Sequence, residues 1–353
     1  MMKSLVAIVA FAALVTSARN HNYDERPFPS SKSISNERDA CKDVDDGEPG
    51  SRIPSNCGKT PRRRTMNGIS SKNKKWSTPL ESSINRFGRQ SDMIEFMHHD
   101  RWDSALFVHW ETDPEALQAL LPTGLSVDTY NGKAYIGIVL LSEDGIAPVF
   151  PMLPKWLASA GAFSHYAVNA RTYVRPSGGG HGGVFFFTLD CSHLIPALGA
   201  YSLFGLPYRL ARMRRGRDVS SNQRMSFSSS RVVGAKASVD AEWTVHGTPT
   251  PAEEGSLAAF LVERYYLYNE AGIILRSLAM PHGTTLWTGR ITHHPWPLQH
   301  ATLEKWNSSI FEAVEGLADT IIDPHSDPVV LYSPGVDDIR FWWAPVNKTT
   351  HSG

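Results

Sequence analysis

The sequence predicts a mostly β protein of the α+β class, built on a large antiparallel sheet or barrel with a few helices. Three observations carry that prediction. At 237–245, Ala237, Val239, Ala241, Trp243 and Val245 alternate strictly with Ser238, Asp240, Glu242 and Thr244, the period of a half-buried strand. Val184-Phe185-Phe186-Phe187-Thr188-Leu189 is an apolar run of strand length, as a strand buried on both faces requires. With 27 Gly and 23 Pro, the segments between are rich in turn signals.

In chain order, Met1-Met2-Lys3 opens a short positive start, Leu5 to Val15 is an apolar run, and Thr16, Ser17 and Ala18 are small. This layout predicts a signal peptide over 1–18 with cleavage after Ala18. The run is too short to span a bilayer, which takes about twenty residues; an uncleaved anchor or a buried helix is the competing reading. No later segment supplies a span, so none is expected in the mature chain. Residues 19–92 hold 15 basic and 10 acidic side chains among Ser, Asn, Pro and few large apolar groups. Such a leader buries too little surface to offset its ordering entropy and is expected to be disordered. Arg62-Arg63-Arg64 and Lys72-Asn73-Lys74-Lys75 could bind an anionic surface or mark processing, although a solvated linker is the commoner meaning of such runs. The address points to the secretory pathway or the extracellular space. A signal peptide followed by a Ser/Arg-rich leader also resembles the two-part address of complex plastids, against which the acids at 37–48 count.

The folded domain is expected over 93–345, with a tail at 346–353. Thr112-Asp113-Pro114-Glu115 opens a helix whose buried side is Leu117, Leu120 and Leu121, and Pro122 with Gly124 stops it. Gly178 to Gly183 reads as a hairpin loop, since it lacks the Gly-Lys-Ser/Thr ending of a phosphate loop and joins two strands. Met225, Phe227 and Val233 suggest a strand before 237–245. Further helices are expected near 196–213, 256–263 and 308–318.

Composition and motifs exclude several classes. Net charge is zero, 41% of residues are apolar and 20% charged, which excludes a polytopic membrane protein, a fibrous repeat and a globally basic nucleic-acid binder. No Gly-x-Ser-x-Gly, His-Glu-x-x-His or Cys-x-x-Cys occurs, so hydrolase, zinc and nucleic-acid readings have no specific support. No cofactor and no metal are expected. Cys41 and Cys57 could pair in an exported leader, and Cys191 reads as a buried small residue. Asn307-Ser308-Ser309 and Asn347-Lys348-Thr349 are glycosylation acceptors only on export.

Five segments place polar residues among apolar ones: Leu106-Phe107-Val108-His109-Trp110, Asn169-Ala170-Arg171-Thr172-Tyr173-Val174-Arg175, Phe204-Gly205-Leu206-Pro207-Tyr208-Arg209-Leu210-Ala211, Phe260 to Tyr268, and His293-His294-Pro295-Trp296-Pro297-Leu298-Gln299. In this order they resemble the YqjF-like family, a domain of unknown function in the acetoacetate decarboxylase-like superfamily, over roughly residues 95–345. The resemblance implies a cone-shaped antiparallel β-barrel with a few peripheral helices around a polar-lined cavity. In the decarboxylase a lysine forms an imine with a β-keto acid and a neighbouring lysine lowers its pKa, an activation for which that enzyme is a standard example. Its Pro-Lys-Lys-Leu segment matches Pro207-Tyr208-Arg209-Leu210 here. Tyr208 would replace the imine lysine and Arg209 its cationic neighbour. A phenol cannot form an imine, and a guanidinium with a pKa above about 12 is no substitute nucleophile.

Each candidate site residue has a structural rival. Arg209 could anchor a carboxylate or pair with one at the surface. Glu263 could be a general base or the ion-pair partner of Arg264. Tyr208, Tyr265 and Tyr266 could donate to a ligand or pack in the core. Of His293 and His294 at most one reaches a cavity if both lie on a strand, and His294 is the candidate proton carrier. Arg171 could bind substrate or, with Arg175, form salt bridges; His109 and Trp110 are cavity wall or core. The expected function is a small-molecule cavity protein that binds or transforms an oxo acid or related carbonyl compound without a Schiff-base lysine. The alternatives are a non-catalytic ligand carrier or sensor, and a partner-docking protein acting through its basic leader.

Overall fold

The computed structural model describes residues 94–149, 162–193, 205–217, 223–270 and 286–345. The signal peptide, leader, C-terminal tail, Cys41, Cys57 and the helix expected over 196–204 lie outside the described residues. Twelve strands are described: β1 (Ile94–Thr112), β2 (Leu125–Val127), β3 (Ala134–Pro148), β4 (Phe163–Pro176), β5 (Gly183–Cys191), β6 (Tyr208–Arg217), β7 (Arg224–Arg231), β8 (Ser238–Pro251), β9 (Tyr266–Glu270), β10 (Leu286–Thr292), β11 (Pro297–Ser308) and β12 (Val329–Pro345). The helices are α1 (Pro114–Ala119) and α2 (Leu257–Val262), with a 3-10 turn at Ala318–Thr320.

The expected class, antiparallel β with a few short helices, is the class observed. All ladders are antiparallel except β5 with β6 and β5 with β9. Neighbouring strands β12, β1, β3, β4 and β5 form a wall. β12 carries β1 on one edge, while its other edge pairs with β11 at Leu331 and Tyr332 and with β10 from Arg340 onward. β5 divides in the same way, pairing with β9 at Val184 and Phe185 and with β6 from Leu189 to Cys191. The wall is therefore closed twice, once through β9 and β10 and once through β6, β7, β8 and β11. The ring expected of a barrel is present, with one wall shared by two closures.

A shared wall has no wet face, which explains why its strands read as continuous apolar runs. On one side Leu106, Val108, Ile136, Ile138, Leu140 and Val168 pack with Met225, Phe227, Val239, Ala241 and Trp243. On the other, Phe107, Val139, Leu141, Ala167 and Tyr173 pack with Leu267, Trp287 and Ile291 and with Leu261 and Val262 of α2. β7 and β8 cover only the first side. Val239, Ala241, Trp243 and Val245 of β8 are accordingly buried, and the residues between them are not, as the alternation predicts.

Both helices form where the sequence places them. Asp113 Oδ1 accepts from the amides of Glu115 and Ala116 at 2.9 and 2.8 Å, Pro114 fills the first turn and Leu117 is buried. Gly124 leaves the helix at φ +96°, a conformation glycine adopts without strain. Ser256 caps α2 through Ala259 N at 3.2 Å. Gly178 to Gly182 lie in the hairpin between β4 and β5.

Other expectations are corrected. Residues 208–213, expected in a helix, belong to β6, because Leu189, Asp190 and Cys191 on β5 and all of β7 offer backbone partners that override local propensity. The helix expected over 308–318 is the end of β11 followed by turns leading into the 3-10 segment. Val233 is 55% exposed in the turn after β7 and so is not a strand residue. Phe185, Phe186 and Phe187 are only half-buried, so the expected two-faced burial holds at the ends of β5 and not at its middle. Cys191 is fully buried, its thiol donating to His193 O at 3.0 Å.

Candidate functional site

A cavity of about 140 Å³ lies on the α2 side of the wall. Its polar lining comes from β1, β3, β4, β6, the segment after α2 and the segment after β10. The middle is apolar, from Val139, Leu141, Val184, Leu189, Trp287 and Ile291. An apolar cavity of about 150 Å³ accommodates benzene, so this one suits a small organic molecule.

One end is acidic. Val139, Leu141 and Glu143 leave β3 on the cavity face, and His165 stands opposite Glu143 in the ladder with β4. His165 Nε2 is 3.2 Å from Glu143 Oε2, and His99 Nδ1 is 3.9 Å from the same oxygen. Trp102 Nε1–H donates to His99 Nδ1 at 3.0 Å. The His99 proton is therefore on Nε2, which faces Met97 Sδ at 3.2 Å. Burial pushes the imidazole down to about 4 against the pull of Glu143, so His99 is neutral at pH 7. Burial would raise the Glu143 carboxyl, but His165 and His99 outweigh it and hold the group below the usual carboxylate range. Tyr208 lines the same region; burial, and then the Glu143 charge, push its phenol well above its ordinary value. Tyr208 stays protonated and acts as a donor.

The other end is basic. Arg171 leaves β4 on the same face as His165, six residues along, about 20 Å at the rise of an antiparallel strand. Its Nη2 donates to Leu261 O at 3.0 Å, and the guanidinium lies 5.5 Å from the Phe107 ring centre. Arg264, just beyond α2, donates from Nε to Phe260 O at 2.6 Å and from Nη1 to Asp128 Oδ2 at 2.8 Å. The last carbonyls of a helix have no partner within it; here they hold both arginines. Tyr173 Oη donates to Leu261 O at 2.7 Å and accepts from His109 Nε2 at 2.7 Å, stiffening the same corner. Arg171 Nε and Arg264 Nη2 are buried without a hydrogen-bond partner, as is Asn169 Oδ1 beside them on β4. Buried donors of this kind are costly unless a ligand meets them. His293 also lines the cavity; its Nδ1–H donates to His294 O at 2.6 Å, and burial pushes it down to about 4.

Among the residues expected at the site, Arg171 and Tyr208 line the cavity and the others do not. Arg209 follows Tyr208 on β6 and leaves the opposite face, where its Nη1 donates to Tyr208 O at 3.1 Å and Gly234 packs on its stem. His294 is exposed, and the inward histidine is His293; both follow the end of β10 rather than lying on it. Glu263 caps α2 and is held by Trp296 N at 2.8 Å and by the Tyr265 hydroxyl, a structural latch outside the cavity lining. Its neighbour Arg264 is the residue that enters. Tyr266 stacks on His181 at 4.8 Å in a separate small core. Trp110 packs against Trp306 and Phe311 on the far side of the wall. Arg175 does form the expected surface salt bridge, to Asp128 at 2.7 Å.

Sequence reasoning missed Glu143, His165, His99 and Arg264. The signal for Glu143 was its phase, since it continues the alternate positions Val139 and Leu141 of an apolar run. Among the described residues no group of three or more His, Cys, Asp or Glu is placed to hold a metal ion. No helix among them is long and apolar enough to cross a membrane.

Fold and cavity together define a class: a mostly β protein enclosing a ligand-sized cavity with an acidic end, a basic end and an apolar belt. Within that class the chain belongs to the DUF2071 family, described as an uncharacterized conserved protein, whose model matches residues 99–337. The uncharacterized protein YqjF of Bacillus subtilis (strain 168) is 33% identical over 248 residues, 70% of this chain and 90% of YqjF. The family suggested by the five sequence segments is thus the family found. Among solved structures, the enduracididine biosynthesis enzyme MppR complexed with pyruvate is similar at a TM-score of 0.48 and 13% identity, over 73% of this chain and 92% of that one. Acetoacetate decarboxylase from Legionella pneumophila subsp. pneumophila str. Philadelphia 1 is similar at a TM-score of 0.45 and 13% identity, over 74% and 92% of the two chains.

Proposed function

We propose that this protein binds a small organic acid, of the oxo-acid or related carbonyl class, in the cavity between the β wall and α2. The observation that carries the reading is the pair of buried guanidinium N–H groups, Arg171 Nε and Arg264 Nη2, that no protein acceptor meets. A carboxylate satisfies both through charge-assisted hydrogen bonds. Tyr208, kept protonated at the Glu143 end, is suited to donate to an oxygen of a ligand long enough to extend there from the arginines. Imine chemistry has no support: the described lysines, Lys133, Lys236 and Lys305, are exposed, two of them paired with Glu111 and Asp240, and none lines the cavity.

Titration calorimetry with 2-oxobutyrate tests the reading. The wild-type protein should bind, and Arg171→Met should weaken binding roughly ten- to hundredfold, the worth of one hydrogen bond to a charged group. Unchanged affinity in both Arg171→Met and Arg264→Met would sink it. Solvent deuterium entering C3 of bound 2-oxobutyrate, read by NMR, separates an enzyme from a carrier. Exchange faster than in protein-free buffer assigns a transformation, and tight binding without exchange assigns a carrier.

A further inference from the structure

The two arginines account for one end of the cavity and leave the other unexplained. Glu143 is 12% exposed and faces the cavity, and among the described residues no arginine or lysine lies within ion-pair distance of it. Its close neighbours are imidazoles. His99 is neutral, since Trp102 donates into its Nδ1, and neither ring nitrogen of His165 makes an aligned hydrogen bond despite the 3.2 Å contact. The two imidazoles keep the carboxyl ionised, so it turns a negative charge toward the cavity, one that a cationic group of a ligand would meet. The walls there are aromatic: the His99 and Phe341 rings lie 4.6 Å apart, Trp102 is 5.9 Å from Phe341, and Phe163 stacks on His165. Aromatic faces around a carboxylate favour a cation over an anion or a neutral group.

We propose that the ligand is a dipolar acid, with its carboxylate on Arg171 and Arg264, an apolar chain along Val139, Leu141 and Leu189, and a cationic amino, guanidino or imidazolium group at Glu143. The proposal rests on the acid-binding reading above and adds the identity of the far end. The separation of the two ends along β4 gives it a physical reason. Arg171 and His165 stand six residues apart on one face of β4, so a three-carbon acid held by Arg171 stops short of Glu143. A chain carrying charge at both ends satisfies both.

Three acids that differ at the far end decide the matter: 4-guanidinobutyrate, hexanoate and adipate, each titrated calorimetrically into the full chain at pH 7. 4-Guanidinobutyrate should bind at least tenfold tighter than hexanoate, and adipate weakest of the three. In Glu143→Gln, with circular dichroism confirming the fold, the preference for the guanidino acid should shrink to within about twofold. Hexanoate binding wild type as tightly as 4-guanidinobutyrate overturns the dipolar proposal and leaves the acid-binding reading standing. Binding of none of the three overturns both. If Glu143→Gln does not fold, the wild-type ranking alone still decides.

Discussion

The buried histidines are where single residues have the most measurable consequence. His99 and His293 are both pushed by burial from 6.5 to about 4. Between those values the unfolded chain binds a proton at each position and the folded chain does not. Stability therefore rises with pH across that window and falls as the solution is acidified toward pH 4, by roughly 3 kcal/mol per histidine at most. Glu263, Asp144 and Asp190, whose carboxyls burial raises, act in the opposite direction just above the ordinary carboxylate range. The difference between proteins isolates the histidines. Urea unfolding of His293→Gln at pH 5 and pH 7 should show a smaller loss on acidification than wild type, and an equal loss would refute the assignment. The charge of Glu143 belongs to a lower range, because its carboxyl is held down rather than up.

Elements matter here through the backbone they leave open. α2 is six residues long, too short to be stable alone, yet its end carbonyls orient Arg171 and Arg264. The hairpin between β4 and β5 completes that corner. A side chain at Gly182 would sit 2.6 Å from Arg264 Nη1 and 2.8 Å from Asp128 Oδ2. Gly182→Ala should therefore displace Arg264 and weaken acid binding about tenfold in calorimetry, with little loss of thermal stability; unchanged affinity would show that the loop does not support the site. On the other closure, Arg231 of β7 grips Asp190 of β5 with Nε and Nη2, at 3.0 and 2.7 Å to Oδ1, and also holds Thr188. Both charges are buried. Arg231→Met leaves the Asp190 carboxylate without that partner and should cost about 3–5 kcal/mol in urea denaturation. A loss below 1 kcal/mol would mean that the pair is not what holds β5 to β7.

The whole molecule turns on the shared wall. Because β1, β3 and β4 face one packed core and one cavity-bearing core, a change in the wall is felt on both sides. Gly137 illustrates the coupling: an added Cβ would meet the His109 ring at 2.3 Å, and His109 braces Tyr173 against α2. The ring also closes at the ends of the described chain, with Glu95 opposite Trp342 and Met97 opposite Phe341. A chain of residues 93–345 should consequently unfold in a single calorimetric transition and keep its acid affinity. Starting instead at Arg101 removes the β1 segment that pairs with Ile339 to Trp343 and lines the cavity with His99, and should abolish both. A truncated chain that still folds and binds would show that β1 does not close the ring.

The sequence by itself determined the strand-rich class, the cap of α1, the place of α2, the face of β8 that turns inward and the family. These are local patterns: alternation, a capping Asp, and five short segments in order. It also brought forward Arg171, a polar group among apolar strand residues, and Tyr208, through the match of Pro207-Tyr208-Arg209-Leu210 to the decarboxylase segment. Which neighbour of a polar pair enters the cavity was decided only by tertiary structure. Arg209 turns away because β6 begins at Tyr208 beside Leu189 and so sets that residue inward. Glu263 caps a helix, and Arg264 enters; His294 is exposed, and His293 faces the cavity. Glu143 and His165 are 22 positions apart in sequence and become opposites only through the register of β3 with β4. A one-residue shift in a ladder exchanges inside for outside, and that register is fixed by partners far along the chain.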